Sequence, residues 1–435
     1  MLIVKKFGGS SVADKDRIFN VAKRCIEDYK AGHDVVVVLS AMGDTTDNLI
    51  ELARTINPEA KKRELDMLLT TGEQVSVSLM AMAMQAMDVP AVSLNAFQVM
   101  MHCTSRYGNA RFKRVDTERI QHELDSRKIV IVTGFQGVNK YDDITTLGRG
   151  GSDTTAVALA AVLHADKCEI YTDVDGVYTA DPRVCKNARK LDVITYDEML
   201  ELASLGAKVL HNRSVEMAKK YNVELVVRSS LNNSEGTTVK EAAKMEKLLV
   251  TGVAADSNTA RVSVIGVEDK PGTAFRIFNT LAKNHINVDI ILQSVGRDGT
   301  KDISFTVASD DLEATLNLLE ENKERLTIQN ITYNADVAKL SVVGAGMMSN
   351  PGVASKMFEA MYNSRVNINM ISTSEIRITV LVDEKDIDKA MNAVHDGFMM
   401  QEKRAVIKQV IKNCRNRTVW AIFLCKTISF ELFQT

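Results

Sequence analysis

The chain has 435 residues, 45% hydrophobic and 25% charged, the balance of a globular protein of about three domains, which excludes a disordered or collagen-like chain. Its 54 basic and 56 acidic side chains leave a formal charge of −2, and only 5% of residues are aromatic, with a single Trp; that composition argues against nucleic acid and anionic membranes as partners. Six cysteines without a C-x-x-C pair read as reduced, mostly buried thiols of a cytoplasmic protein.

The N-terminus reads as a strand: Met1-Leu-Ile-Val runs straight into Lys5 and Lys6 and is too short for a signal peptide. No apolar run reaches the ~18 residues of a membrane span. After the Gly8-Gly9 turn, Ile18, Val21, Ala22, Cys25 and Ile26 share one helical face. Apolar runs at 35–38 and 129–132, with 168–172 and 223–227, suit strands buried on both faces. Strands alternating with amphipathic helices predict an α/β domain with a largely parallel sheet, ending near Val239. Met80, Met82, Met84 and Met87 fall in an alanine-rich helical stretch and are expected in the core. The charged segment 240–247 reads as a linker.

An internal repeat follows. Ser263-Val-Ile-Gly266 returns as Ser341-Val-Val-Gly344, Pro271-Gly272 as Pro351-Gly352, and Asn287-Val-Asp289 as Asn367-Ile-Asn369. Ala274, Ile277, Phe278 and Leu281 in the first copy, and Ala354, Met357, Phe358 and Met361 in the second, keep the i, i+3, i+4, i+7 spacing of a helix. Each Pro-Gly belongs at the start of such a helix, where backbone N–H groups are unpaired. With later strands at 303–307 and 376–382 and helices at 311–321 and 386–396, two βαββαβ units result. The apolar tail after Asn413 fits neither pattern.

Four constellations carry chemistry. Lys6-Phe7-Gly8-Gly9-Ser10-Ser11 joins a strand to a helix, and its glycines let backbone N–H groups approach an anion; the order is not that of a Walker P-loop. Leu147-Gly-Arg-Gly-Gly-Ser-Asp-Thr-Thr155 opens a second helix. An N-cap explains Ser152 or Asp153 but not Arg149 between glycines, which favours a ligand site. Tyr171-Thr-Asp-Val-Asp-Gly-Val-Tyr178, then Asp181-Pro-Arg183, places acids, a ring and an Arg in one loop, where Asp-Gly alone is an ordinary turn. In Gly206-Ala-Lys-Val-Leu-His211, Lys208 follows a glycine at an expected helix start and gains weight only from the other three.

Taken together, these motifs resemble the aspartate kinase family of the amino-acid kinase superfamily, and the paired repeat is similar to that family's tandem ACT domains; the likeness runs to about residue 400. It implies an amino-acid-kinase-type, mostly parallel sheet sandwich with helices on both faces over 1–240, a linker at 241–248, ACT-like units at 249–325 and 326–400, and an extension of unassigned role at 401–435. It implies transfer of the ATP γ-phosphoryl group to the side-chain carboxylate of L-aspartate, the first step of lysine, threonine and methionine synthesis. A carboxylate ionised at neutral pH needs no general base, so the demand is for positioning and charge neutralisation.

Carried over by resemblance, Lys6, Asp153 and Lys208 are catalytic, and Lys6, Phe7, Gly8, Gly9, Thr172, Asp173, Tyr178, Arg183 and Lys208 meet ATP. Thr46, Glu73, Arg149 and Ser152 meet aspartate, with Arg149 suited to the α-carboxylate and Glu73 to the α-ammonium. Mg²⁺ is expected on the phosphates with few protein ligands. Asp269, Gly272, Asp289 and Gln293 are expected to form a regulatory site for L-lysine, with L-threonine as a second candidate, and a homodimer or homotetramer is expected through the ACT units. Acetylglutamate or glutamate 5-kinases would lack the ACT pair. A fusion with homoserine dehydrogenase would need several hundred more residues, and a non-catalytic sensor would have lost Lys6, Asp153 or Lys208.

Overall fold

The computed structural model describes residues 1–206, 209–241, 249–294, 299–348 and 350–398. Most of the expected linker and all of the expected 401–435 extension lie outside the described residues. The chain forms two compact units: Met1–Tyr178 with Arg189–Glu246, and Thr179–Ala188 with Lys247–Thr435.

The first unit starts with β1 (Leu2–Phe7), α1 (Lys15–Lys30) and β2 (Asp34–Leu39), followed by α2 (Thr45–Ile56), α3 (Lys62–Leu69) and α4 (Thr71–Gln85). Next come β3 (Ala91–Leu94), β4 (Met101–Cys103), β5 (Phe112–Val115), α5 (Glu118–Asp125), β6 (Ile129–Thr133), β7 (Gln136–Val138), β8 (Ile144–Thr146) and α6 (Gly151–Val162). The unit closes with β9 (Lys167–Thr172), β10 (Val193–Thr195), α7 (Tyr196–Ser204), α8 (Asn212–Tyr221), β11 (Leu225–Ser229) and β12 (Thr237–Lys240). An eight-stranded sheet runs in the order β10-β12-β11-β9-β1-β2-β6-β3, parallel except for the β11–β12 pair. β5-β4-β7-β8 form a small second sheet.

Side-chain alternation in the strands builds two helical layers. Val35, Val37, Leu39, Ile129 and Ile131 face α1 and α4, where Ile18, Val21, Ala22, Cys25 and Ile26 are buried as the periodicity requires. Met80 and Met84 are in that core, Met87 packs at its margin, and only Met82 of the four points out. The other layer holds α6, which packs on β1, β2 and β9 and is buried from Gly151 to Ala160.

The first Gly pair departs from expectation. A 3-10 turn, Gly9–Val12, follows it, and the α-helix begins only at Lys15, capped by the Asp14 carboxylate, which accepts from Arg17 N at 2.9 Å. The helix N-terminus expected beside Gly8-Gly9 is therefore not there. What demands glycine is close packing: a Cβ on Gly9 would stand 2.6 Å from the Ala41 carbonyl oxygen.

The second unit comprises β13 (Gly252–Asp256), β14 (Ala260–Glu268), α9 (Thr273–Lys283), β15 (Ile291–Gln293), β16 (Thr300–Val307), α10 (Leu312–Glu321), β17 (Asn330–Asn334), β18 (Val337–Val343), α11 (Val353–Asn363), β19 (Met370–Thr373), β20 (Arg377–Asp383) and a helix over 387–398. Its sheets are ordered β15-β16-β14-β17 and β13-β18-β20-β19. The chain-order boundary at 325/326 put residues 252–256 in the first copy and 330–334 in the second; the pairing has them the other way round. β17 closes the first sheet against β14, whereas β13 closes the second against β18. Both are short strands antiparallel to a copy's opening strand, and nothing in their composition tells which partner each takes. Elsewhere the copies match: Ile277 and Leu281 are buried in one and Met357 and Met361 in the other, and Gly272 and Gly352, at φ 92° and 98°, cap α9 and α11. Gly takes the N-cap position, one residue after the Pro that was expected to open the helix.

Candidate functional site

From β1 the chain lays β2, β6 and β3 to one side, then β9, β11, β12 and β10 to the other. Such a reversal opens a crevice beyond the carboxyl ends of the central strands, here β1 and β9. Period-two alternation sends Lys5 toward α1, where it meets Asp28, and Lys6 to the opposite face, toward α6. Lys6 Nζ lies 2.6 Å from Asp153 Oδ1, with both side chains largely buried. The N-cap of α6 is Gly150, so Ser152 and Asp153 are the second and third helical residues, and the N-cap alternative for them falls. A carboxylate there is favoured by the helix dipole.

Neighbouring segments complete the rim. Ser40 Oγ donates to Ser152 Oγ at 3.0 Å, linking the end of β2 to α6. Gly43 N donates to Gly9 O at 3.0 Å, and a Cβ on Gly72 would stand 2.8 Å from Ala41 Cβ, so the 40–45 loop is wedged between the Gly8-Gly9 turn and α4. Glu73 is 2% exposed; its Oε1 accepts from Ala41 N at 3.1 Å and its Oε2 is buried without a hydrogen-bond partner among the described residues. Burial pushes its pKa up to about 7. Thr46 is half-buried in the first turn of the adjoining α2. Arg149 is exposed between Gly148 (φ 79°) and Gly150 (φ 67°). Lys6, Gly8, Gly9, Thr46, Glu73, Ser152 and Asp153 thus stand on adjoining segments at one end of the sheet.

Other expected residues fall elsewhere. Phe7 is fully buried, its ring stacked on Tyr171 at 4.4 Å between centroids, so only its backbone can face a ligand. Thr172 ends β9, and Asp173 and Tyr178 lie in the loop after it; Thr172 Oγ1 donates to Asp173 Oδ1 at 2.9 Å, and the Tyr178 hydroxyl to Asp175 Oδ1 at 2.8 Å. Arg183 belongs to the other compact unit and pairs with Asp181 at 2.7 Å. The cause is packing: Ala180 and Cys185 of the same segment are buried in the core around β18 and β20. Lys208 lies outside the described residues; the next helix, α8, begins at Asn212 with His211 as its cap.

The regulatory candidates are largely engaged by the chain itself. Asp289 Oδ2 lies 2.8 Å from Lys339 Nζ, which also reaches Asp256 at 3.1 Å, and Asp269 is 2.7 Å from Lys301. Gly272 caps α9, and Gln293 ends the exposed edge strand β15. In the second copy Asn369 donates to Asp383 Oδ1 at 2.9 Å.

Sequence reasoning did not single out Ser40, Asp66 or Arg213. The Asp66 carboxylate is buried and accepts from Thr146 N, Thr146 Oγ1 and Gly108 N at 2.8–2.9 Å. Arg213 adjoins the Gly206–His211 motif, its one sequence signal. Among the described residues no cluster of three His, Cys, Asp or Glu side chains is arranged to hold a metal, and Asp153 is already paired with Lys6. No helix of the described residues is long and apolar enough to cross a membrane.

Residues 1–229 match the amino acid kinase family model, and residues 261–324 and 340–398 match ACT domain models. The aspartokinase of Bacillus sp. (strain MGA3) is 53% identical over 398 residues, covering 91% of this chain and 97% of that protein. The crystal structure of E. coli aspartokinase III in complex with aspartate and ADP (R-state) superposes with a TM-score of 0.79 at 25% identity, over 92% of this chain and all of that one. The same enzyme in complex with lysine and aspartate (T-state) gives 0.72 at 26% identity, over 91% of this chain and 99% of that one. With both ACT matches falling on the paired sheets and the kinase match on the unit that holds Lys6 and Asp153, the chain belongs to the aspartokinases, kinase enzymes of the amino acid kinase family.

Proposed function

We propose that the first unit transfers the γ-phosphoryl group of ATP to the side-chain carboxylate of L-aspartate, giving 4-phospho-L-aspartate, as the first step of the lysine, threonine and methionine family of syntheses. The observation that carries the reading is the Lys6–Asp153 pair at the carboxyl ends of β1 and β9. One aspartate oxygen attacks Pγ, the bond from Pγ to the bridging β,γ-oxygen breaks, and ADP departs with that electron pair. No proton is removed from the nucleophile, because its pKa of about 4 leaves it ionised. The chain's contribution is electrostatic and positional. Lys6 neutralises the transferring group, Asp153 fixes the lysine, and the Gly8 and Gly9 amides line the same turn. Arg149 takes the α-carboxylate as a bidentate fork. Glu73, with one buried oxygen unpartnered, takes the α-ammonium, and Thr46 and Ser152 complete the substrate side. Thr172, Asp173 and Tyr178 serve the nucleotide, and Lys208 is a second cation. Mg²⁺ travels with the phosphates.

The ACT pair regulates this unit by binding L-lysine, with L-threonine as second candidate, around Asp269, Gly272, Asp289 and Gln293. A lysine complex of E. coli aspartokinase III supports the ligand class. A homodimer or homotetramer forms through the ACT units. An ADP-release assay with aspartate, glutamate and acetylglutamate tests the activity: turnover with aspartate alone is expected, and turnover confined to either alternative overturns the substrate assignment.

A further inference from the structure

We infer that Arg213 is a positioning residue that holds the glycine turn presenting Arg149 to the substrate; the inference rests on the substrate-side reading of Arg149. Arg149 stands between two glycines with left-handed φ. Such a turn has wide conformational freedom, so an Arg at its tip is preorganised only if the turn is held from outside. Arg213, the second residue of α8, does this with both arms of its fork. Its Nη1 donates to Leu147 O at 2.9 Å and its Nη2 to Ala110 O at 2.7 Å. Leu147 immediately precedes Gly148, and Ala110 lies on a separate segment whose N–H donates to Thr146 O at 2.9 Å.

Two further contacts frame the turn. Asp66 accepts from Thr146 N and Oγ1 at 2.9 and 2.8 Å and from Gly108 N at 2.9 Å, which fixes the approach on the α3 side. His211, the cap of α8, lies so close to Gly150 that a Cβ there would stand 2.2 Å from its ring. The turn is therefore held at Thr146, Leu147 and Gly150, and Arg149 is the residue left reaching outward. Ordering a long side chain for two bonds to neutral carbonyls is costly, and it is favoured where the geometry of the joined segments matters. A lysine presents its donors from a single nitrogen and does not reproduce the planar two-armed fork that reaches both carbonyls.

The test is steady-state kinetics of the full chain with Arg213→Ala, Arg213→Lys, Arg149→Ala and the Arg149→Ala/Arg213→Ala double variant. Arg213→Ala is expected to raise the aspartate KM about tenfold, since small misplacements of a substrate contact are expensive. The ATP KM stays within about twofold, and in the Arg149→Ala background Arg213→Ala adds no more than about twofold, the signature of coupled residues. Arg213→Lys recovers only part of the loss. Equal rises in both KM values, or full additivity in the double variant, overturn the inference. If Arg213→Ala does not fold, Arg213→Lys, which keeps the charge and loses the fork, is read in the same cycle with the same outcomes. If Arg149→Ala raises the aspartate KM and Arg213→Ala does not, the positioning role alone fails. If Arg149→Ala itself leaves the aspartate KM unchanged, the substrate-side reading fails and the inference with it.

Discussion

In the kinase unit, Glu73 is buried with one carboxylate oxygen unpartnered, whereas in the ACT unit Asp289 and Asp269 already face the ammonium groups of Lys339 and Lys301. Both regions are candidate sites for an amino acid, and they are prepared in opposite ways. A buried carboxylate with one oxygen unpartnered raises the energy of the empty site and draws in a cation. An acid in an ion pair releases its lysine before it can take another amine, so the regulatory ligand gains only the difference between two similar contacts. The contrast predicts tight engagement at the first candidate site and a graded, competitive response at the second.

The largest expected effect tests the kinase side. Lys6→Ala and Asp153→Ala should each lower kcat at least ~10²-fold, the cost of removing one preorganised electrostatic element, on the order of 3 kcal/mol. Circular dichroism and thermal melting should show both variants folded. Near-normal turnover in folded Lys6→Ala protein would remove that lysine from the reaction.

Glu73→Gln sharpens the contrast. The raised pKa of about 7 means that the wild-type carboxyl is protonated below neutrality and ionised above it. Because only the ionised form attracts the α-ammonium, kcat/KM for aspartate should fall as pH drops through about 7. Glu73→Gln should lower it roughly tenfold or more at pH 8 and abolish that limb. Stability should move the other way. A carboxyl whose folded pKa is raised destabilises the fold progressively between its unfolded value near 4.5 and about 7. Glu73→Gln should therefore be more stable than wild type at pH 8, by on the order of 1–3 kcal/mol, and no more stable at pH 4. A variant with an unchanged pH profile and no gain at pH 8 would mean that the carboxylate is satisfied in the ligand-free protein.

Much of this was legible in the sequence, for identifiable reasons. The continuous apolar runs found the central strands because parallel strands covered on both faces leave no polar alternation. Lys6 and Asp153, which the structure brings together, stood out in the sequence because each sits near glycines at a strand or helix end. Pairing partners were not legible: nothing local in residues 252–256 or 330–334 says which ACT sheet each strand closes. Phe7 was assigned to ATP by its place in a motif, but its ring sits in the core because strand alternation turns it away from Lys6. Asp66 and Arg213 act through contacts with segments distant in sequence, which spacing cannot reveal.

Arg149→Lys should weaken aspartate binding several-fold while leaving the ATP KM near wild type, since a point charge replaces a planar fork. A change confined to ATP would move Arg149 to the nucleotide side and leave Glu73 as the main selector of substrate.

The smallest expected effect tests the ACT side of the comparison directly. Lys339 touches both Asp289 and Asp256, so a ligand ammonium that takes Asp289 leaves Lys339 with a second partner, and the exchange is nearly balanced. Asp289 is about one-third exposed at its side chain, so solvent screens the pair and its strength is on the order of 1 kcal/mol or less. Removing the internal competitor with Lys339→Met should therefore lower the lysine concentration that halves activity by about two- to fivefold, and Asp289→Ala should raise it by a similar factor. Each is read against the variant's own uninhibited rate. Opposite shifts are the point of the test: the two substitutions break the same ion pair, so a merely structural effect would move both in one direction. If both weaken inhibition alike, the Lys339–Asp289 contact is a strut between the two ACT copies, beside the Ile290, Val337, Met370 and Leu381 cluster, and the ligand lies elsewhere.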